Sequence, residues 1–441
     1  MHRRDWLKSV LASGALLGCE SFDRRIFDQD READSRVCIL GGGLAGLTAA
    51  YALLAQQKSC RVYEASGRWG GRVLSLQGFS KSLAAVDLGG EWIHQDQEEL
   101  LGLVRSLRLD LWKEKSIPWF LKGAQSRIGF EKIPFSLLDP YLRRKVASMT
   151  EAEMDSLPVA DLLMDIYKNF PRELGDGFMS WVQWEWGDAK LGQSSLQVLR
   201  AYQTLARPLS SGLSRHSYRI KGGARVLVQA LVDRISGVLP EVRLRLQHRL
   251  VQIETVGSRL RLLFETPEGK ESLVFNQVIC TLPVSSLMEV PGFESLGWSK
   301  QELEVLKKAG LGQHKKAVRA LAIGSDFPIG LSYNLGDQTW RWMHPGFDRE
   351  RAVNRIETLQ SVGDLKLYNV PGASQIVNWS QFPHIRGSRS HVNAGSFLDW
   401  QSLRKSVSQR RALIFAGEQW SAAGGSMAGA VESGFFAAQR I

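Results

Sequence analysis

The chain has only four cysteines in 441 residues, at positions 19, 38, 60 and 280. They form no CxxC pair and keep no regular spacing, which excludes a cysteine-built zinc site and a small disulfide framework. Proline is sparse, 14 residues against 42 glycines, and the composition does not read as low complexity. The apolar run at residues 10–18 falls far short of the roughly 20 residues that span a bilayer. Acidic residues are in deficit, 45 against 56 Lys and Arg, for a net charge of +11. The basic residues are spread along the whole chain, the pattern of a solvated basic surface, so no nucleic-acid partner is expected. No Ser-His-Asp or metal-ligand constellation stands out, and no metal site is expected. What is present is a globular composition, 44% hydrophobic and 23% charged, at a length that suits two or three domains of about 150 residues each.

The N-terminus reads as a targeting segment. Arg3-Arg4 precede an aromatic residue, Leu7 and Lys8, then comes the short apolar stretch, and Leu16-Leu17-Gly18-Cys19 closes it. A charged start, a short apolar core and small residues are the parts of a signal peptide. The arginine pair resembles a twin-arginine signal, which exports already folded proteins, and the Cys19 region resembles a bacterial lipobox. Residues 1–18 are expected to be the signal and 19–35 a charged tether. The mature protein would then be bacterial and periplasmic, with its only membrane attachment through lipid on Cys19. Cys38 and Cys280 lie in apolar strand-like runs, where a thiol behaves as a small buried hydrophobe.

A dinucleotide site opens the folded body. Arg36-Val37-Cys38-Ile39-Leu40 reads as a strand, runs into Gly41-Gly42-Gly43-Leu44-Ala45-Gly46 and continues in helical composition. In that context Gly41 permits a tight turn, Gly43 lets the backbone approach a pyrophosphate and Gly46 lets helix and strand pack closely. The free N–H groups of the helix start meet the phosphate charge. The next strand, Cys60-Arg61-Val62-Tyr63, ends in Glu64, roughly 20 residues on, where an acid accepts the ribose hydroxyls.

Beyond Glu64 come Arg68-Trp69-Gly70-Gly71-Arg72 and Asp87-Leu88-Gly89-Gly90-Glu91-Trp92-Ile93-His94. With these segments the chain resembles the flavin-containing amine oxidase family of monoamine, polyamine and L-amino-acid oxidases. The likeness continues through Gly222-Gly223, Leu250-Val251-Gln252-Ile253, Gly310 to Lys316, Trp379 with Gly387-Ser388-Arg389, and Ala416-Gly417-Glu418 followed by Gly425-Ser426-Met427. It implies an α/β fold, a Rossmann-like FAD-binding domain interleaved in sequence with an α+β substrate domain. Segments 36–95, 212–284 and 404–441 would form the first and segments 96–211 and 285–403 the second. It also implies FAD contacts from Gly41, Gly43, Gly46, Glu64, Arg72, Gly89, Gly90, Trp92, Leu250, Trp379, Glu418 and Met427, with the helix start at Met427 facing the flavin. Lys316 would hold a water near flavin N5, and His94 would orient or tune the amine.

Residues 95–211 read as mostly helical, with breaks at Pro118, Pro134, Pro140, Pro158 and Pro171, and the Trp181, Trp184 and Trp186 stripe reads as core. Residues 242–246, 260–264 and 274–279 alternate with period two and read as antiparallel strands turning at Gly257 and Gly269. On the substrate side stand Arg389, Ser426 and Trp420. Arg389 and Ser426 occupy positions that are aromatic in monoamine oxidases, and Ser388 stands where those enzymes attach flavin through sulfur, so FAD would be non-covalent. Arg389 suits a substrate carboxylate, which would favour an amino acid. The activity implied is oxidation of an amine or amino acid to an imine, with hydride transfer to flavin and dioxygen as acceptor, giving peroxide. The alternatives are a flavin-dependent dehydrogenase or desaturase acting on a C–C bond, and a flavin-binding lipoprotein without oxidase turnover.

Overall fold

Val37, Cys38, Ile39 and Leu40 are apolar at every position, and all four are buried. A strand covered on both faces reads as an unbroken apolar run, the signature of a parallel sheet. The computed structural model bears this out. It describes residues 37–80, 83–114, 119–122, 126–129, 135–186, 192–203, 217–238, 244–311, 315–322, 328–334, 339–341, 374–407, 412–422 and 424–441. The expected signal and tether, residues 1–35, lie outside them.

Five strands form a parallel sheet: β1 (Val37–Leu40), β2 (Arg61–Tyr63), β3 (Leu244–Arg245), β4 (Gln277–Cys280) and β5 (Leu413–Phe415), in the order β3-β2-β1-β4-β5. The chain therefore returns to this sheet from three distant parts of its sequence. Helix α1 (Leu44–Ala55) is buried at every position but its last. It lies beneath α3 (Met427–Ala438), where Gly434 permits the crossing: a Cβ there would strike the Ala45 carbonyl oxygen. Side chains such as Leu47, Leu53 and Leu54 are withdrawn from water here, at roughly 1.5–3 kcal/mol each.

Two pairings differ from the period-two reading of the sequence. Leu244–Arg245 runs parallel to β2, and Gln277–Cys280 runs parallel to β1. The alternation over residues 274–279 crosses two strands, one ending at Phe275 and one starting at Gln277, and is not the signature of either. The antiparallel expectation does hold for Arg249–Val256, Arg259–Thr266 and Gly269–Phe275, with positive φ at Gly257 and Gly269.

The rest is α+β. A six-stranded antiparallel sheet runs Ser374–Asn378, Lys315–Ala322, Pro328–Asn334, Thr339–Arg341, Trp119–Lys122, Ser126–Gly129. Its last two strands, with Leu111–Glu114, correct the helical reading of the stretch after residue 95. Helices Phe135–Ala147, Glu151–Ser156, Val159–Asn169, α2 (Arg172–Trp186) and Ser195–Ala201 follow. Pro158 and Pro171 stand immediately before helices, where a missing N–H is harmless, whereas Pro140 lies inside its helix and breaks nothing. Pro118 and Pro134 lie outside the described residues. Phe178, Trp181, Trp186 and Tyr202 form the core of this helical group. No described helix is long and apolar enough to cross a membrane.

Candidate active site

A cavity of about 1610 Å³ opens at the carboxyl ends of β1, β2 and β4 and extends to α2. Such strand ends are where α/β sheets bind ligands, and the volume exceeds the roughly 300–1,000 Å³ of a small-ligand pocket.

At one end the three glycines of the β1–α1 turn do three different things. Gly41 has φ +101° and donates its N–H to the Tyr63 carbonyl at 2.8 Å. Gly43 has open space beside it: a Cβ would meet only the Gly71 Cα, at 3.9 Å. Gly46 faces away from the cavity, and a Cβ there would collide with the Gly41 carbonyl oxygen. No side chain caps α1, so its first N–H groups are available to a ligand. Glu64 sits at the edge of this cradle. Its Oε2 accepts the Gly42 N–H at 2.7 Å, and Oε1 accepts the Ser66 N–H at 2.8 Å and hydroxyl at 2.7 Å. The acid expected to hold the ribose therefore also ties the glycine loop to β2, and Oε2 keeps a lone pair for a further donor.

Arg72 joins the two ends of the sequence. Its Nη1 pairs with Glu418 Oε1 at 2.6 Å and donates to the Ser388 carbonyl. The second oxygen of Glu418 accepts from Ser390 and the Gly425 N–H, both at 2.6 Å. Gly90 leaves room for Met427, the first residue of α3: a Cβ would stand 2.7 Å from its Cγ. Gly89 packs under the Arg72 carbonyl. Trp379 donates from Nε1 to the Leu88 carbonyl at 3.1 Å and stacks on Phe382. Gly41, Gly43, Glu64, Arg72, Gly89, Gly90, Trp379, Glu418 and Met427 line the cavity; Gly46 does not, and its role is packing.

Leu250, whose main chain is the expected contact, turns its side chain into a core cluster, while Gln247 lines the cavity. Trp420 packs between Trp400 and Phe415, at ring distances of 5.0 and 4.8 Å, in that same cluster. Leu250 sits on a strand whose alternate faces differ in burial, and Trp420 ends the short turn Glu418–Trp420, all of it buried, where Glu418 lines the cavity and Trp420 packs into the core.

At the substrate end, His94 lines the cavity with Nδ1 3.0 Å from the Ser217 hydroxyl. Trp92 lines it too, with the Arg219 guanidinium 5.7 Å from its ring centroid, and Arg219 Nε lies 3.4 Å from Glu91 Oε1. Ser426 caps α3 by accepting the Gly429 N–H at 3.0 Å. Arg389, expected to await a carboxylate, is already occupied. Its guanidinium forms an ion pair with Glu185 and donates to the Glu185 carbonyl at 3.3 Å. It also lies 5.9 Å from the Trp186 ring centroid. Burial pulls its pKa down to about 10, against the opposing attraction of Glu418. Lys316 pairs through its strand with Asn334 and Val377, and its side chain lies outside what the structure describes.

Glu185 and the Glu91–Arg219 pair escape a motif-based reading. The sequence carries one mark, a carboxylate between Trp184 and Trp186, and it names no partner. No group of His, Cys, Asp and Glu that could hold a metal ion occurs among the described residues.

The sequence profile of the family described as flavin containing amine oxidoreductase matches residues 44–316 and 329–441. Putrescine oxidase of Kocuria rosea is 38% identical over 93 residues, 21% of this chain and 18% of that protein. Pseudooxynicotine dehydrogenase of a Pseudomonas species is 23% identical over 318 residues, 65% of this chain and 59% of its own length. The chain thus matches less than two thirds of each of these relatives. Among solved structures, cyclohexylamine oxidase of Brevibacterium oxydans IH-35A superposes with a TM-score of 0.70 at 18% identity, covering 92% of this chain and 98% of that one. At that identity the likeness is one of fold.

Proposed function

Because this chain belongs to the flavin containing amine oxidoreductase family, we propose that it oxidises an amine to an imine with FAD as cofactor and dioxygen as acceptor, releasing peroxide. The observation that carries the reading is the glycine cradle between Gly43 and Gly71 at the uncapped start of α1, closed from the other end of the sequence by the Arg72–Glu418 pair. These residues fit FAD: backbone N–H groups and Arg72 for the pyrophosphate, Glu64 for the ribose, and the start of α3 for the flavin ring. Held there, FAD would supply the acceptor for the hydride from the carbon bearing the amine and the route for its electrons to dioxygen.

The chain's own residues position and shield. His94, fixed by Ser217, and Trp92, backed by Arg219, form one wall. Carboxylates outnumber arginines around the cavity, which favours a cationic substrate in a protein that is basic overall. Lys316 is assigned to hold a water and a positive charge beside the flavin. Ser388 offers no sulfur, so FAD is held non-covalently. Export and lipid attachment through Cys19 remain part of the proposal and rest on residues 1–19.

Purified protein should be yellow and release its flavin on acid precipitation, and it should generate peroxide from members of a panel of primary and secondary amines. Bound flavin with no peroxide from any amine, while an artificial acceptor is reduced, would assign it to the dehydrogenases instead.

A further inference from the structure

Arg389 is the residue on the cavity wall that, from sequence, best suits a substrate carboxylate, and the structure gives that guanidinium three engagements. It is paired with the Glu185 carboxylate, it donates to the Glu185 main-chain carbonyl, and it lies over Trp186. Glu185 stands in the last turn of α2, whose unpaired carbonyls and negative dipole end favour a cation at that place. The stem of Arg389 has a fitted path, because a Cβ on Gly425, at φ +74°, would strike its Nε, Cγ and Cδ. Both members of the pair line the cavity. Matched at close range, they present almost no net charge to a ligand, and separating them would leave two desolvated charges uncompensated.

We propose that Glu185 is a specificity-determining residue: by holding Arg389 in an ion pair it denies that arginine to substrate carboxylates, so the site takes amines that lack an α-carboxylate and rejects amino acids. This rests on the amine-oxidising reading of the same cavity and narrows its substrate class. A carboxylate entering here meets Glu185 as a like charge and must displace it from Arg389, whereas a neutral or monocationic amine need do neither.

The test reads binding, separately from turnover. Benzoate is titrated calorimetrically into purified wild-type holoprotein and into Glu185→Gln, Arg389→Met and Glu185→Gln/Arg389→Met, each with its flavin content measured beforehand. Glu185→Gln keeps the side-chain shape and leaves Arg389 without its ion-pair partner, its remaining attraction being to Glu418, which is itself paired with Arg72. Benzoate should then bind roughly tenfold or more tightly than to wild type, the worth of one hydrogen bond to a charged group. The double variant should return to the wild-type value, which a merely structural disturbance would not do. Wild-type binding as tight as that of Glu185→Gln, abolished by Arg389→Met, would overturn the proposal, as would no gain in Glu185→Gln. Should Glu185→Gln not fold, Arg389→Met decides alone: unchanged weak benzoate binding is expected, and a loss of strong binding sinks the idea. An absence of flavin from all four proteins would count against the FAD reading, while the benzoate series would still report on the pair.

Discussion

The two ends of the cavity are built by different means. The cofactor end is main chain: glycines that admit close approach, a bare helix start, and carbonyls gripped by Arg68 and Arg72. The substrate end is side chain: His94 on Ser217, Trp92 on Arg219, Arg389 on Glu185. Backbone geometry tolerates little change, because a glycine turn either closes or does not. Side-chain pairs can be exchanged without moving a strand. The first construction suits a fixed ligand and the second a ligand that differs from one relative to the next.

Substitutions can break or sharpen this contrast, and the largest effect belongs to Gly46→Val. Its side chain would meet the Gly41 carbonyl inside the β1–α1 turn, so thermal denaturation should show a loss of at least about 3 kcal/mol, if the protein accumulates at all. Gly43→Val, three residues earlier, should keep its fold by circular dichroism and lose flavin affinity by roughly a hundredfold or more, because its side chain enters only ligand space. Full flavin occupancy in Gly43→Val would show that the dinucleotide lies elsewhere.

Glu418→Ala comes next. It strands Arg72 and frees Ser390 and the Gly425 N–H, which should cost about 2 kcal/mol of stability, discounted because Arg72 is partly exposed, together with weakened flavin retention. Lys316→Met, at the position proposed to hold a water beside the flavin, should leave flavin content unchanged and slow a half-reaction roughly ten- to a hundredfold in stopped-flow measurements. The smallest effect is expected for Trp420→Phe. As a core residue between Trp400 and Phe415 it should lose about 1 kcal/mol with kcat/KM unaltered, and a large fall in kcat/KM would put it back on the substrate path.

The same contrast governs what could be read from the sequence. Gly41, Gly43 and Gly46 take the turn, open and packing positions that their spacing predicts, since backbone demands leave residue-specific marks. Trp420 lies off the cavity wall because family position identifies the element, not which of its side chains turns inward. Glu185 was missed because nothing near it in sequence names Arg389 as its partner, 204 residues away. The parallel pairing of Leu244–Arg245 was hidden for a similar reason: two residues carry no period, and only the sheet supplies the direction.

The three described thiols, Cys38, Cys60 and Cys280, are free and buried, and two of them stand on adjacent strands of the parallel sheet. Burial pushes the Cys280 thiol up to about 12 and the Cys38 thiol well above its ordinary value, with Cys280 and Cys60 adding to the latter. Peroxide attacks the thiolate, and access governs the rest. The peroxide of the proposed turnover would therefore meet these sulfurs buried and in their unreactive protonated form.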